Sequence, residues 1–386
     1  MAATLHCDVA IVGGGLAGTL IALALRRKRP DCDVRIVEAG SALGGNHLWS
    51  FFASDVAPED RWLVAPLISH GWTRYDVAFP EQARTLANSY YSIESHRLDQ
   101  VARAELPAGA VLTRKKVADL GPAAVLLADG TAIAAGGVID CRGIGDLGAL
   151  SCGWQKFLGR ELELDEPHDC ERPMIMDATV AQEDGYRFVY ALPFTPMRMF
   201  VEDTYYSDTP DLDPARLGER IDAYAATQGW QAARVLREEA GVLPVVMGGD
   251  FDAYWRAGGA GVAKAGARGG FFHPLTSYTL PDAVRIASLV ATAGDLGGTA
   301  LHDLLHGHAR TLWRRRRFYR MLAAMLFKAA EPGERFRVLQ RFYRLDPALI
   351  GRFYAGRSTL GDKLRILSGR PPVPIGRALA ALGGGR

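Results

Sequence analysis

The stretch Cys7–Glu38, CDVAIVGGGLAGTLIALALRRKRPDCDVRIVE, decides the fold. Cys7–Val12 is apolar and rich in β-branched residues, which predicts a short buried strand ending at a glycine cluster. Leu16–Leu25 is built of helix formers. Arg26–Arg29 fall in and just beyond its last turn, where cations complement the helix dipole. Pro30 and Asp31 stop the helix, and Val34–Val37 predicts a second strand that ends at Glu38. Between the first strand and the helix, Gly13-Gly14-Gly15-Leu16-Ala17-Gly18 fits G-x-G-x-x-G. In this Rossmann-type turn Gly13 permits the tight bend, Gly15 lets the backbone approach a pyrophosphate, and Gly18 lets helix and strand pack closely. Leu16 and Ala17 open the helix, whose free N–H groups and positive dipole end suit phosphates. Glu38 stands twenty residues past Gly18, where a carboxylate can accept both ribose hydroxyls and would repel a 2′-phosphate. The stretch predicts the ADP half of a dinucleotide as ligand.

Outward from this unit, residues 41–70 read as loop with a Trp-rich segment, and Trp72–Phe79 alternates as a strand. Residues 92–106, SIESHRLDQVARAEL, predict an extended entry followed by a helix. Val111–Asp119, Ala123–Ala128 and Thr131–Ala134 predict three short strands, the last two joined by a turn at Asp129-Gly130. Val138–Asp140 predicts a further buried strand closing on Cys141-Arg142-Gly143. This meander resembles the second FAD-contacting segment of flavoprotein hydroxylases and reductases, which makes FAD the expected dinucleotide and Gly143 one of its contacts. From Gly153 to Gly249 strand-like runs lack long helices between them, which predicts an antiparallel sheet. Within it Asp213–Ala240 predicts a helical insertion and Gly241–Met247 a return to strand. The expected fold is α/β: a Rossmann-type FAD-binding domain, an antiparallel-sheet substrate domain and a C-terminal helical region. The FAD-binding part is discontinuous, taking residues 1–70, 92–152 and 258–300. The substrate sheet takes 71–91 and 153–257, and the basic helical region 301–386.

Composition narrows the class. The 386 residues are 48% hydrophobic with mean hydropathy near zero, as in a soluble globular protein. The longest apolar run, Val9–Leu25, is broken by four glycines and predicts no membrane span. The N-terminus lacks the basic region and cleavage site of a signal peptide, so a cytoplasmic location is expected. Five cysteines without a CxxC pair, and no histidine spacing for a metal, predict reduced thiols and no metal site. Charge is segregated: from Arg310 to Arg386 there are 18 Lys/Arg against 4 Asp/Glu, a net of +14. Such a tail calls for an anionic partner. No nucleic-acid module accompanies it.

Gly45-Asn46-His47-Leu48-Trp49-Ser50-Phe51, Asp184-Gly185-Tyr186-Arg187-Phe188-Val189-Tyr190, Phe200-Val201-Glu202-Asp203-Thr204-Tyr205-Tyr206, Gly241-Val242-Leu243-Pro244 and Phe272-His273-Pro274-Leu275-Thr276-Ser277-Tyr278-Thr279-Leu280-Pro281-Asp282 occur in the order found in bacterial lycopene β-cyclases, which the chain resembles over nearly its whole length. The resemblance implies an isomerase that closes the acyclic ψ ends of lycopene into β-ionone rings in carotenoid biosynthesis. It further implies reduced FAD without net redox change, with NAD(P)H needed only to reduce the flavin. A flavin-dependent isoprenoid reductase or hydroxylase of the same fold is the alternative.

Closing an isolated alkene needs a strong, dry acid, and burial raises a carboxyl's pKa enough to hold the proton. Glu202 and Asp203 lie among Met199, Phe200, Val201, Tyr205 and Tyr206, and on a strand they point to opposite faces. The family motif favours Glu202 as the acid; Asp203 is the weaker candidate, orienting the site. The final proton goes either to the flavin or to a carboxylate. His47 in the first motif, Arg97, Gly270 and His273 are further flavin-site candidates. A surface helix charge for Arg97 and a capped loop residue for His273 are equally good readings. The usual aspartate of the related flavoprotein segment is absent from Gly266–Pro274. Trp313–Tyr319, with its four arginines beside aromatic residues, suits an interfacial helix on anionic lipid. Peripheral attachment at the inner face of the cytoplasmic membrane is therefore expected, because the hydrocarbon substrate resides in the bilayer.

Overall fold

The computed structural model describes residues 4–369 and 376–377. Strand β1 (Thr4–Val12) leads through the glycine turn into helix α1 (Leu16–Lys28) and back into strand β2 (Val34–Val37). β1 pairs in parallel with β2 on one side and with Ala132–Asp140 on the other. The short strands Val111–Leu112 and Ala263–Lys264 extend this parallel core, and Val117–Leu120 and Ala124–Leu127 add the antiparallel meander. Nine residues of α1 are buried. Their partner is the helix Leu280–Ala291, so α1 is apolar nearly all round, as a sandwiched helix must be.

A second seven-stranded sheet runs in the order Ala232–Gly249, Leu150–Leu164, Arg198–Ser207, Tyr186–Thr195, Met174–Asp177, Tyr75–Phe79, Gln82–Leu86. All its pairings are antiparallel except that of Met174–Asp177 with Tyr75–Phe79. Alternation sorts its side chains onto two faces. Met199, Val201 and Tyr205 pack with Leu217 and Ile221 of the helix Pro214–Thr227. Phe188, Phe200 and Tyr206 face the other way, toward Tyr319, Phe342 and Phe353 of the C-terminal helices. A small three-stranded sheet consists of Leu48–Phe52, Tyr90–Glu94 and His70–Trp72, whose strands flank Tyr75–Phe79 and Gln82–Leu86 of the second sheet in the chain.

Three expectations are corrected. The predicted helical insertion over 213–240 is helical only from Pro214 to Thr227; Gly229 at φ +75° turns the chain, and Ala232–Gly249 is one 18-residue strand. The segment ARVLREEA has helix-forming composition, but pairing along Leu150–Leu164 overrides local propensity. The strand predicted over 72–79 bends at Thr73-Arg74, so that His70–Trp72 and Tyr75–Phe79 belong to different sheets. Thr131–Ala134 and Val138–Asp140 join in a single strand, Ala132–Asp140.

From Gly298 to Leu367 the chain is helical, with Gly298–Arg315 and Arg317–Lys328 meeting at Arg316. The basic run is not all surface. Arg316 is buried and forms a two-pronged ion pair with Asp282 at 2.6 and 2.7 Å, and Arg320 lies over the Trp313 ring. Among the described residues no helix is long and apolar enough to cross a membrane.

Candidate active site

The glycine turn has the geometry of a phosphate cradle. Gly13 sits at φ +105°, and a Cβ there would lie 2.8 Å from the Cys141 backbone. A Cβ on Gly18 would come within 2.2 Å of the Gly13 carbonyl oxygen, so only glycine lets α1 start this close to β1. In front of Gly15 the space is open. No side chain caps the helix there, which leaves the N–H groups of its first turn, including those of Leu16 and Ala17, free for an anion. Glu38, at the end of β2, accepts hydrogen bonds from the N–H groups of Gly14 (2.8 Å) and Gly40 (2.6 Å). Its remaining lone pairs are available to a ribose. The segment Gly266–Gly269 packs on the same turn, where a Cβ on Gly266 would meet that of Ala17 at 2.8 Å; Gly270 ends the segment at φ +72°. These residues fit the pyrophosphate and ribose of a dinucleotide.

A cavity of about 640 Å³ begins beside this turn, at Gly143 and Ala267, and runs under the antiparallel sheet to Leu339 and Leu367 of the C-terminal helices. Glu202 is in its wall. Burial pushes the Glu202 carboxyl up to about 8, although Thr204 Oγ1 donates to it at 2.5 Å; the negative neighbours Glu239 and Asp203 reinforce the rise. Tyr190 is its cross-strand neighbour and joins Tyr90 through a 2.7 Å hydroxyl contact. The result is a neutral acid on an aromatic wall.

Glycines let aromatic rings approach the sheet closely. A Cβ on Gly159 would strike the Phe200 ring at 2.3 Å, one on Gly241 the Phe157 ring at 2.4 Å, and one on Gly153 the Phe327 ring at 2.2 Å. Each sits within a strand, where a missing side chain marks close approach by another group.

The other expected residues divide. His47 and Gly143 line the cavity with Glu202. His47 Nδ1 pairs with Glu239 at 2.9 Å, and that hydrogen bond holds its pKa above the usual histidine value. Asp203 faces the opposite side of the sheet, fully buried and gripped by Arg187 through Nε at 2.8 Å and Nη2 at 2.5 Å. Arg97 lies on the surface, its Nε donating to the Pro66 carbonyl at 2.9 Å. His273 is buried against the rings of Tyr319 and Phe353, outside the cavity wall, with Nδ1 accepting from the Leu275 and Thr276 N–H groups. Burial, helped by Arg316, drives its pKa down to about 3, so it is neutral at physiological pH. Glu239 was not foreseen. The only signal for it was the acidic pair ahead of Gly241-Val242-Leu243-Pro244, inside the segment whose composition reads as helix. Among the described residues no cluster of His, Cys, Asp or Glu could hold a metal ion.

Residues 8–380 match the family model described as lycopene cyclase protein. The chain is 45% identical to a lycopene beta-cyclase of Pseudescherichia vulneris, over 97% of its own length and 96% of the relative's. In fold it is similar to a geranylgeranyl bacteriochlorophyll reductase-like protein from Thermoplasma acidophilum (TM-score 0.63, 11% identity, covering 98% and 99% of the two chains). It is likewise similar to a probable FAD-dependent monooxygenase from Pseudomonas aeruginosa (TM-score 0.60, 18% identity, 88% and 100%). The structural likenesses establish the fold alone, whereas the match in sequence runs almost from end to end, and by it the chain belongs to the lycopene cyclase family.

Proposed function

We propose that the protein is a lycopene β-cyclase, an isomerase that turns the ψ ends of lycopene into β rings without net redox change. The observation that carries the reading is Glu202: a carboxyl that keeps its proton near neutral pH, on an aromatic-walled cavity otherwise lined mostly by apolar residues. Glu202 delivers that proton to the terminal alkene of the substrate, and the neighbouring alkene attacks the resulting tertiary cation. Tyr190 and its aromatic neighbours exclude water and present ring faces to the positive charge. Thr204 fixes the carboxyl's orientation through its hydrogen bond.

The glycine turn, Glu38 and the open space before Gly15 support FAD as the bound dinucleotide, and the monooxygenase likeness agrees with it. In its reduced form, generated by NAD(P)H, FAD supplies negative charge close to the developing cation. Gly13, Gly15, Gly18 and Glu38 would hold its ADP half, and His47, Gly143 and Gly270 would be candidates for contacts nearer the flavin.

Peripheral attachment at the cytoplasmic face of the membrane belongs to this reading, since a hydrocarbon substrate resides in the bilayer. The helix Leu360–Leu367 supports this attachment: Leu360 and Leu364 are 79% and 71% exposed, Lys363 and Arg365 flank them, and Ile366 and Leu367 belong to the cavity wall. An apolar stripe with flanking cations suits anionic lipid, and here it borders the far end of the cavity.

The test is turnover of lycopene in liposomes with reduced FAD under nitrogen. Ring formation that proceeds catalytically, without net consumption of NADPH, supports the cyclase. Consumption of one reductant per product would overturn it in favour of a reductase.

A further inference from the structure

Glu202 and Glu239 occupy one cross-strand row. Gly159 of the Leu150–Leu164 strand pairs with Glu202 on one side and with Glu239 on the other. Residues in such a row point to one face of the sheet. The residue between them has no side chain; the Phe200 ring, from the Arg198–Ser207 strand, covers Gly159 and floors the space between the two carboxyls. Their backbones stand two strand spacings apart, about 10 Å, and both side chains line the same cavity. Among the described residues of the cavity wall these are the two carboxylates.

Their settings are opposite. Glu202 has Thr204 as its hydrogen-bond partner. Glu239 is surrounded by donors: the Leu48 N–H at 2.9 Å, His47 Nδ1 at 2.9 Å, and the Arg237 guanidinium at 3.8 Å. His47, half exposed, also connects Glu239 to solvent.

We propose that Glu239 is the base that completes the ring. The inference rests on the assignment of Glu202 as the acid. After Glu202 has protonated the terminal alkene and the ring has closed, the cation is centred on the ring carbon beside the one that bears the polyene. The C–H bond on the polyene-bearing carbon breaks, its electron pair becomes the ring double bond, and the proton passes to the Glu239 carboxylate. Glu202 is then ionised and Glu239 protonated. One proton returns to Glu202, and Glu239 discharges through His47, so the cycle balances without oxidant or reductant. The face on which Glu239 stands thereby selects the β-ring over its isomers, since loss of a proton from the other neighbouring ring carbon or from the methyl group would give ε or γ ends.

The experiment compares the wild type, E239Q and E202Q as FAD-loaded proteins on lycopene liposomes in D2O under nitrogen. Ring type is read by chromatography and label by mass spectrometry. The wild type is expected to give β rings, each carrying one deuterium. E239Q is expected to deuterate the end group still, while β-ring formation falls about a hundredfold and the label appears in ε or γ ends or in returned lycopene. β rings from E239Q at the wild-type rate would overturn the assignment. So would an FAD-loaded E239Q that deuterates neither product nor substrate. If E239Q does not load FAD, E239D carries the comparison: a mixture of ring types supports the base, and pure β rings at the wild-type rate overturn it. E202Q keeps the two claims apart, because label from that variant would remove the acid and leave the ring-type result of E239Q standing.

Discussion

Glu38 and Glu202 are the same residue type in two sheets, and their surroundings give them different work. Glu38 closes a parallel strand at the edge of the glycine turn, with backbone N–H groups of Gly14 and Gly40 on its oxygens. Everything that defines its role lies within one βαβ unit and the turn that follows it. Glu202 sits in mid-strand in the antiparallel sheet, and its neighbours come from several strands: Tyr190 on the adjoining hairpin strand, and Gly159 and, across the row, Glu239 from farther along the chain. The first environment presents a carboxylate to a ligand; the second withholds water so that the carboxyl keeps its proton. Binding can be encoded by consecutive residues, while acid chemistry here needs a dry wall that several elements build together.

The largest expected effect separates the two ends. Glu202→Gln keeps the side chain's size and its bond to Thr204 but has no proton to give. We expect cyclisation to fall by about 10²–10⁴-fold, while flavin absorbance and stoichiometry stay at wild-type values. Loss of flavin in that variant would show that the two sheets are not independent and would break the comparison.

Asp203→Ala sharpens it within one dipeptide. Asp203 faces the helix Pro214–Thr227, and its removal leaves the buried Arg187 guanidinium without its partner. The expected result is a stability loss of about 3–5 kcal/mol, read by denaturant unfolding, with turnover per folded, flavin-loaded molecule unchanged. A drop in that turnover equal to the one in E202Q would return Asp203 to the chemistry.

These neighbours also show how much was legible in the sequence. The glycine turn, α1 and Glu38 could be read residue by residue, because each follows from local stereochemistry. Glu202 stood out through the motif and its apolar neighbours. Glu239 did not, because its meaning comes from register: only pairing through Gly159 sets it opposite Glu202, and ARVLREEA reads locally as helix. His273 failed to reach the cavity for a related reason. Its motif marks a tightly folded loop held by its ring nitrogen, and packing against Tyr319 and Phe353 fixes the ring away from the wall. The arginine run had the composition of a surface, yet Asp282, more than thirty residues away, draws Arg316 inside.

The pH profile probes the dry wall directly. In the proposed reaction Glu202 must carry its proton, and its pKa is raised to about 8. Activity should therefore hold through neutral pH and fall above 8 by about tenfold per unit. Stability follows the same sign. The raised value means that the neutral carboxyl's contribution is complete below the ordinary 4.5 and is lost as pH climbs to about 8. E202Q should remove that slope from its unfolding curve. A wild-type limb near 4.5 would mean that water reaches the carboxyl.

The smallest expected effect concerns the far end of the cavity, where the proposed attachment would bring the wall to lipid instead of a cofactor. Replacing Leu360 and Leu364 together with aspartate leaves the core alone, since both side chains are largely exposed. It removes apolar area that would enter a membrane interface and puts negative charge beside Lys363 and Arg365. Binding to anionic liposomes should weaken on the order of tenfold, with turnover of detergent-dissolved lycopene unchanged. The two readouts must part for the attachment to be real. If both fall together, the helix shapes the cavity through Ile366 and Leu367, and the contrast between the ends is one of substrate fit. If only liposome binding falls, the antiparallel end owes its access to lipid to an exposed leucine stripe, a feature as local in sequence as the glycine turn at the opposite end.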